Sequence, residues 1–232
     1  MPIALLDTTD SVPGPLPTSW LTQLAPEEQR RVGELGSQQR VREFVAARVL
    51  LQAIAAELLQ SGGQVTSVPG AAPVLTLANG EGFTCSVAHS AGLVLVGIMS
   101  KGQLGLDVER HRNRSLTPLV ERYFWAGGQR EFHKLPEGDA RLWFYRQWCA
   151  REALLKRDGH DNLYWLLGRS WSLSPPGQLW MGQTHKVTVA ILSASDEPPP
   201  VWQATCRSDG TLAFQPPETG SPLANLVELT RP

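Results

Sequence analysis

The 232-residue chain has little charge of one sign, little lysine and few cysteines. Its 21 basic and 22 acidic side chains leave a formal charge of -1, which excludes bulk electrostatic binding to nucleic acid or to an anionic membrane. Any anion it recognises must be held by a few placed residues. Cys85, Cys149 and Cys206 are odd in number and widely spaced, so they suit neither a disulfide framework nor a CxxC zinc site. A reducing cytosol is the expected compartment. No cationic stretch precedes an apolar one after Met1, which argues against a secretory signal. The longest uncharged apolar run, from Ala91 to Met99, falls short of the about 20 residues that span a bilayer. It reads as a buried strand.

Familiar catalytic signatures are missing as well. There is no GxxxxGK loop, no GxSxG elbow and no HExxH pair. Gly80-Glu-Gly82 begins like a dinucleotide fingerprint, but Cys85 stands where its last glycine belongs. Histidines 89, 111, 133, 160 and 185 show no zinc-ligand spacing.

What is present is an ordinary globular chain, 42% hydrophobic and 19% charged, able to bury a core. Its length falls between one domain and two, against a prior of about 150 residues per domain. Pro26 with Glu27 and Glu28 predicts a short helix, since proline suits the first turn and acids suit its positive end. Ser37 predicts the cap of a longer helix running to about Gln60 and ended by Gly62-Gly63. Strands are predicted at about 83–88, 93–99 and 103–109, and their short connections favour an antiparallel meander. Thr117-Pro118 opens a helix broken or ended at Gly127-Gly128, and Asp139 caps a long helix stopped by Gly159. Further strands follow at 186–193 and 201–206. Helix, sheet, helix, sheet predicts an α+β fold of two halves.

Four features carry chemistry, each with two readings. Asp107 and Glu109 share one face of a strand, with Cα atoms about 7 Å apart. They are either a solvated strand face near Arg110 or oxygen ligands for a hard cation such as Mg2+. Trp148, Glu152 and Lys156 stand at i, i+4, i+8 on one helix face, where Glu–Lys is either a surface pair or part of a site. In a chain with only four lysines, an exposed pair would more naturally use arginine. His89 closes a strand before a turn, as a structural histidine or as a donor to an anion. Arg48 borders the buried stripe of its helix, snorkelling over the core or facing a phosphate.

Taken in this order and spacing, the segments Val87-Ala88-His89-Ser90, Gly105-Leu-Asp107-Val-Glu109 and Trp148-Cys-Ala-Arg151-Glu152-Ala153-Leu-Leu-Lys156 resemble the 4′-phosphopantetheinyl transferases of the surfactin-synthetase-activating (Sfp) type. The helical stretch Glu43-Phe44-Val-Ala-Ala-Arg48 is similar to that family's N-terminal helix. The chain departs from the pattern at four points. Arg151 replaces the usual lysine, Ala88 replaces a serine, Ala72 stands before Pro73 where the family often has the lysine of Gly-Lys-Pro, and Gly127-Gly128 interrupts a stretch that is usually continuous helix.

The resemblance implies a fold of two similar α+β halves in pseudo-twofold arrangement, residues 1–104 and 105–232, with coenzyme A in the cleft between them. It implies transfer of the phosphopantetheine arm of coenzyme A to a serine of an apo acyl or peptidyl carrier protein. Asp107, Glu109 and Glu152 would hold Mg2+ or Mn2+. Arg48 would meet the 3′-phosphate, and His89, Ser90 and Lys156 the other phosphates, with Ala72 at the coenzyme but without the family's charge. Glu152, or a metal-bound water it orients, would be the base, with Lys156 and His89 assisting. The implied protein is a cytoplasmic monomer that binds neither nucleic acid nor membrane. The alternative is a carrier-binding relative without transferase activity.

Overall fold

In a computed structural model, residues 1–68, 71–159, 162–170, 177–194, 199–224 and 226–229 are described, except for the side chain at 165. His160 lies outside them. The elements run β1 (Ile3–Asp7), α1 (Thr8–Ser11), α2 (Thr18–Thr22), α3 (Pro26–Glu34), α4 (Gln38–Leu58), β2 (Gly63–Thr66), β3 (Val74–Leu77), β4 (Gly82–Ser90) and β5 (Leu93–Met99). They continue as β6 (Leu104–Arg110), α5 (Thr117–Tyr123), α6 (Ala126–Phe132), α7 (Glu137–Asp158), α8 (Leu163–Leu167), β7 (Gln178–Gln183), β8 (Val187–Ser193), β9 (Val201–Cys206), β10 (Leu212–Gln215) and β11 (Val227–Leu229). The fold is α+β. No helix among the described residues is long and apolar enough to cross a membrane. All three cysteines are free.

The chain forms two compact units, residues 1–104 with 199–218, and residues 105–198 with 219–232. A single cut at 105 therefore misplaces 199–218. The reason is strand pairing: β9 runs parallel to β1 and β10 pairs antiparallel with β9.

The first unit is a seven-stranded sheet in the order β10-β9-β1-β5-β4-β3-β2. Helix α4 packs on it through Ala47, Leu50, Leu51 and Ile54, all fully buried. Ser37 caps α4 as predicted, accepting from the Arg40 amide at 3.2 Å, although the helix ends at Leu58, before the glycine pair. The β4–β5 hairpin turns through Ala91 and Gly92, with φ of 46° and 89°. Two positive φ angles give the turn whose twist matches its strands.

The second unit carries a four-stranded sheet, β11-β7-β8-β6. The predicted meander thus fails at its third strand: after Gly102, at φ 98°, the chain enters the other sheet, with β6 beside β8. Local sequence gives strand character but not the partner. Helix α7 packs through Cys149, Ala150 and Ala153 against Leu179, Ala190 and Leu192. It starts at Glu137, so Asp139 sits in its first turn rather than at the cap, and Gly159 ends it at φ 69°. The break predicted at Gly127-Gly128 falls instead at Phe124-Trp125, and both glycines lie inside α6. Trp125 explains this, because a Cβ on Gly127 or Gly128 would come within 2.7 or 2.8 Å of its indole.

Gly105 brings β6 and α7 close together. A Cβ there would lie 1.8 Å from the Ala153 carbonyl oxygen, a backbone atom that cannot swing aside. Gly105→Ala is therefore expected to destabilise the second unit by about 3 kcal/mol, the upper part of the range for overpacking. Denaturant unfolding checks it, and an unchanged midpoint would show that β6 and α7 need no such contact.

Candidate functional site

That approach sets Asp107 on β6 beside Glu152 and Lys156 on α7. The Lys156 Nζ donates to Asp107 Oδ1 at 2.7 Å. Asp107 is buried, so the solvated-face reading does not apply to it, while Glu109 is half-buried. Burial pushes the Glu152 carboxyl up, and the Asp107 charge pushes it further, against a smaller opposing effect of Lys156. Burial alone would lower the Lys156 ammonium, but Asp107 and Glu152 outweigh it and hold it above its ordinary value. Glu152 and Lys156 thus both respond to the Asp107 charge, in the same direction. Cys149, fully buried beside them, is pushed well above the usual thiol range by burial and by the charges of Asp107 and Glu109. It stays a neutral thiol and is not a nucleophile.

The donors suit a hard cation. Asp107 Oδ2 is buried and has no hydrogen-bond partner, and Glu152 and Glu109 are two further carboxylates, both half-buried. Among the described residues, no three His, Cys, Asp or Glu side chains come together closely enough to hold a metal ion. Lys156 instead supplies the positive charge that a buried aspartate needs.

Residues flanking this group lock its frame. Past Glu109, the ring of His111 stacks on Tyr145 at 4.1 Å and its Nε2 lies 2.8 Å from Thr188 Oγ1. Burial lowers His111 to about 4, so it is a neutral peg at the exit of β6. Arg151, adjacent to Glu152, is fully buried and donates to the carbonyls of Leu166, Gln147 and Arg169 at 3.1, 3.1 and 3.2 Å. Its guanidinium also lies over the Trp125 ring. Lysine, with one nitrogen, has no comparable reach over several carbonyls.

The first unit holds a separate polar group. His89 Nδ1 lies 2.9 Å from Glu43 Oε2, with the histidine side chain 49% exposed and the glutamate 5%. Glu43 Oε1 also accepts from the Gly92 amide at 2.9 Å and from Gln39 at 2.7 Å. Burial alone would raise the Glu43 carboxyl, but these hydrogen bonds overcome it and bring it from 4.5 down to about 2. Its contribution to stability is therefore complete above pH 4.5 and is lost as pH falls towards 2. Glu43→Gln is expected to cost up to about 3 kcal/mol at neutral pH, with a gap from wild type that narrows below pH 4.5. Acid titration of unfolding in both proteins measures it, and a gap independent of pH would contradict it.

Arg48 is committed to internal partners. Its Nε donates to Glu28 Oε2 at 3.0 Å and a terminal nitrogen donates to Ser67 Oγ at 3.0 Å, while Ser67 donates to Glu28 Oε1 at 2.6 Å. The guanidinium lies 4.1 Å from the Phe44 ring centroid. Burial lowers its pKa, with Glu28 opposing. Arg48 still lines, with His89, Phe44 and Arg40, a cavity of about 270 Å³. Ser90 is buried at the end of β4, and Ala72 is exposed in the connection before β3.

Residue pattern alone marks no role for Glu43 or His111, and marks Glu28 only as a helix-start acid. Glu43 did carry a signal: it heads the stripe Glu43, Ala47, Leu50, Ile54 at i, i+4, i+7, i+11, all buried. An acid on a buried stripe needs partners. Those partners come from distant segments, so the sequence does not name them.

Comparison with known proteins points to the second unit's group. Residues 103–179 match the model of the ACPS family, the 4′-phosphopantetheinyl transferase superfamily. That segment contains Asp107, Glu109, Glu152 and Lys156. The chain is 28% identical over 147 residues to the 4′-phosphopantetheinyl transferase HetI of Nostoc sp., a match covering 59% of this chain and 60% of that protein. It is also 28% identical over 150 residues to the putative 4′-phosphopantetheinyl transferase slr0495 of Synechocystis sp., covering 62% of this chain and 61% of the relative. The matches thus span about three fifths of these curated relatives.

Proposed function

We propose that the chain is a 4′-phosphopantetheinyl transferase of the surfactin-synthetase-activating type, acting on an apo acyl or peptidyl carrier protein with coenzyme A as donor. The observation that carries this reading is the charge cluster of Asp107, Glu152 and Lys156, with its orphaned buried oxygen, inside the segment that matches the superfamily. In the proposed reaction a carrier serine oxygen bonds to the β-phosphorus of coenzyme A as the bond to the bridging oxygen breaks. Adenosine 3′,5′-bisphosphate leaves with that oxygen. The serine proton passes to Glu152, directly or through a water it orients.

Asp107, Glu109 and Glu152 would hold Mg2+ or Mn2+, which when bound supplies charge neutralisation at the pyrophosphate. Glu152, raised by burial and by Asp107, is the better proton acceptor for it. Lys156 offsets charge on the leaving phosphate. In the first unit, His89 and Ser90 are proposed to contact the coenzyme phosphates, Arg48 the 3′-phosphate, and Ala72 the coenzyme without adding charge.

Mass spectrometry of an apo carrier protein incubated with coenzyme A, Mg2+ and this protein tests the reading. A phosphopantetheinyl mass gain that disappears with EDTA is expected. No gain on acyl and peptidyl carriers alike would sink it.

A further inference from the structure

We infer that Glu43 is a positioning residue that fixes the proton of His89 on Nδ1 and presents Nε2 to a phosphate oxygen. This deepens the proposed function and rests on it for the identity of the ligand. A carboxylate only accepts hydrogen bonds, so the ring nitrogen 2.9 Å from Glu43 Oε2 must be the one that donates. The half-exposed ring therefore has its outward contact through Nε2. A neutral ring has a lone pair there and a protonated ring has an N–H. The anion is met by the ring in its protonated form, whose Nδ1–H stays on the carboxylate while Nε2–H makes a charge-assisted hydrogen bond.

Glu43 is itself immobilised. The Gly92 amide and Gln39 both donate to its Oε1, so one carboxylate ties helix α4, the end of β4 and the hairpin turn together. The turn is also held from its other side, where Thr8 Oγ1 donates to the Gly92 carbonyl at 2.8 Å. His89 is thus oriented by a carboxylate that the Gly92 amide and the Gln39 side chain both hold, rather than by rotamer preference alone. Arg40 and Arg48, the latter paired with Glu28, line the cavity that Glu43 and His89 also line, so its wall carries two cations against one carboxylate. The ligand class is a phosphate monoester or diester.

Glu43→Gln separates positioning from packing. The glutamine oxygen can keep the Gly92 contact, but its amide now faces His89 Nδ1 as a donor. The ring must then carry its proton on Nε2. Long-range proton–nitrogen correlation on the 15N-labelled full chain reads the tautomer without any ligand, with His89→Gln identifying the signals. In wild type the protonated nitrogen is expected at Nδ1, and in Glu43→Gln at Nε2. Affinity for adenosine 3′,5′-bisphosphate, measured by calorimetry, is expected to fall about tenfold in the variant, as when the partner of a charge-assisted hydrogen bond is lost. A wild-type ring protonated only at Nε2 overturns the inference, and needs no variant to fold. An unchanged tautomer or an unchanged affinity in a folded Glu43→Gln overturns it too. Wild type that binds no bisphosphate defeats the coenzyme reading instead, while the tautomer result still decides the role of Glu43.

Discussion

Glu152→Gln is expected to lower turnover about a thousandfold while leaving the protein at least as stable at neutral pH. The first half follows from chemistry, since removing a positioned proton acceptor costs about 10²–10⁴ in rate. Glutamine keeps the shape and helix propensity of glutamate but has no basic oxygen to take the proton of the proposed serine nucleophile. The second half follows from linkage. The folded protein raises the Glu152 carboxyl, so its ionised form is disfavoured by folding. Stability from this group is present below its unfolded value and declines as pH rises through the folded one. At neutral pH a neutral amide removes that loss. A single-turnover assay paired with thermal unfolding reads both halves. Wild-type rates would remove Glu152 from the site, and lost activity with a collapsed fold would leave its chemical role unsupported.

Glu28→Gln is expected to cost about 4 kcal/mol, because it leaves the Arg48 guanidinium buried without its charge partner. Glu28 is fully buried and Arg48 nearly so, unlike exposed pairs such as Arg141–Glu137, which are worth well under 1 kcal/mol. Replacing both partners by apolar residues, Glu28→Leu with Arg48→Met, should recover most of the loss. Denaturant midpoints of the two singles and the double establish this cycle, and independent costs that simply add would show the pair to be uncoupled.

The double variant also tests the coenzyme assignment of Arg48. If the guanidinium serves a 3′-phosphate as well as Glu28, the stable double variant loses discrimination between coenzyme A and its 3′-dephospho form. If discrimination survives, Arg48 is a strut.

The Arg48 case shows where sequence reading stops. Its position beside the apolar stripe was legible from the helical period, but not whether it faces solvent, phosphate or another side chain. Glu28 and Ser67, which decide the matter, lie 20 and 19 residues away on separate segments. His89 is similar. Its place at a strand end was readable, and its bond to Glu43 across 46 residues was not.

Elements set by local chemistry were legible in the sequence: the Ser37 cap, the Gly159 stop, the tight turn at Ala91-Gly92 and the α+β alternation. Each depends on groups a few residues apart, whose geometry the backbone dictates wherever the segment ends up. The acid pair and the Trp-Glu-Lys face were legible for the same reason. Only the tertiary structure decided that β6 leaves its expected neighbours for a second sheet, that residues 199–218 return to the first unit, and that Lys156 closes on Asp107. Those outcomes depend on which distant surfaces bury each other best. At Gly105 one missing side chain sets the distance between strand and helix, and with it the contact of Lys156 with Asp107 and the surroundings that raise Glu152. The scarce lysine mattered because the one at 156 stands beside a buried aspartate, a contact that composition did not reveal.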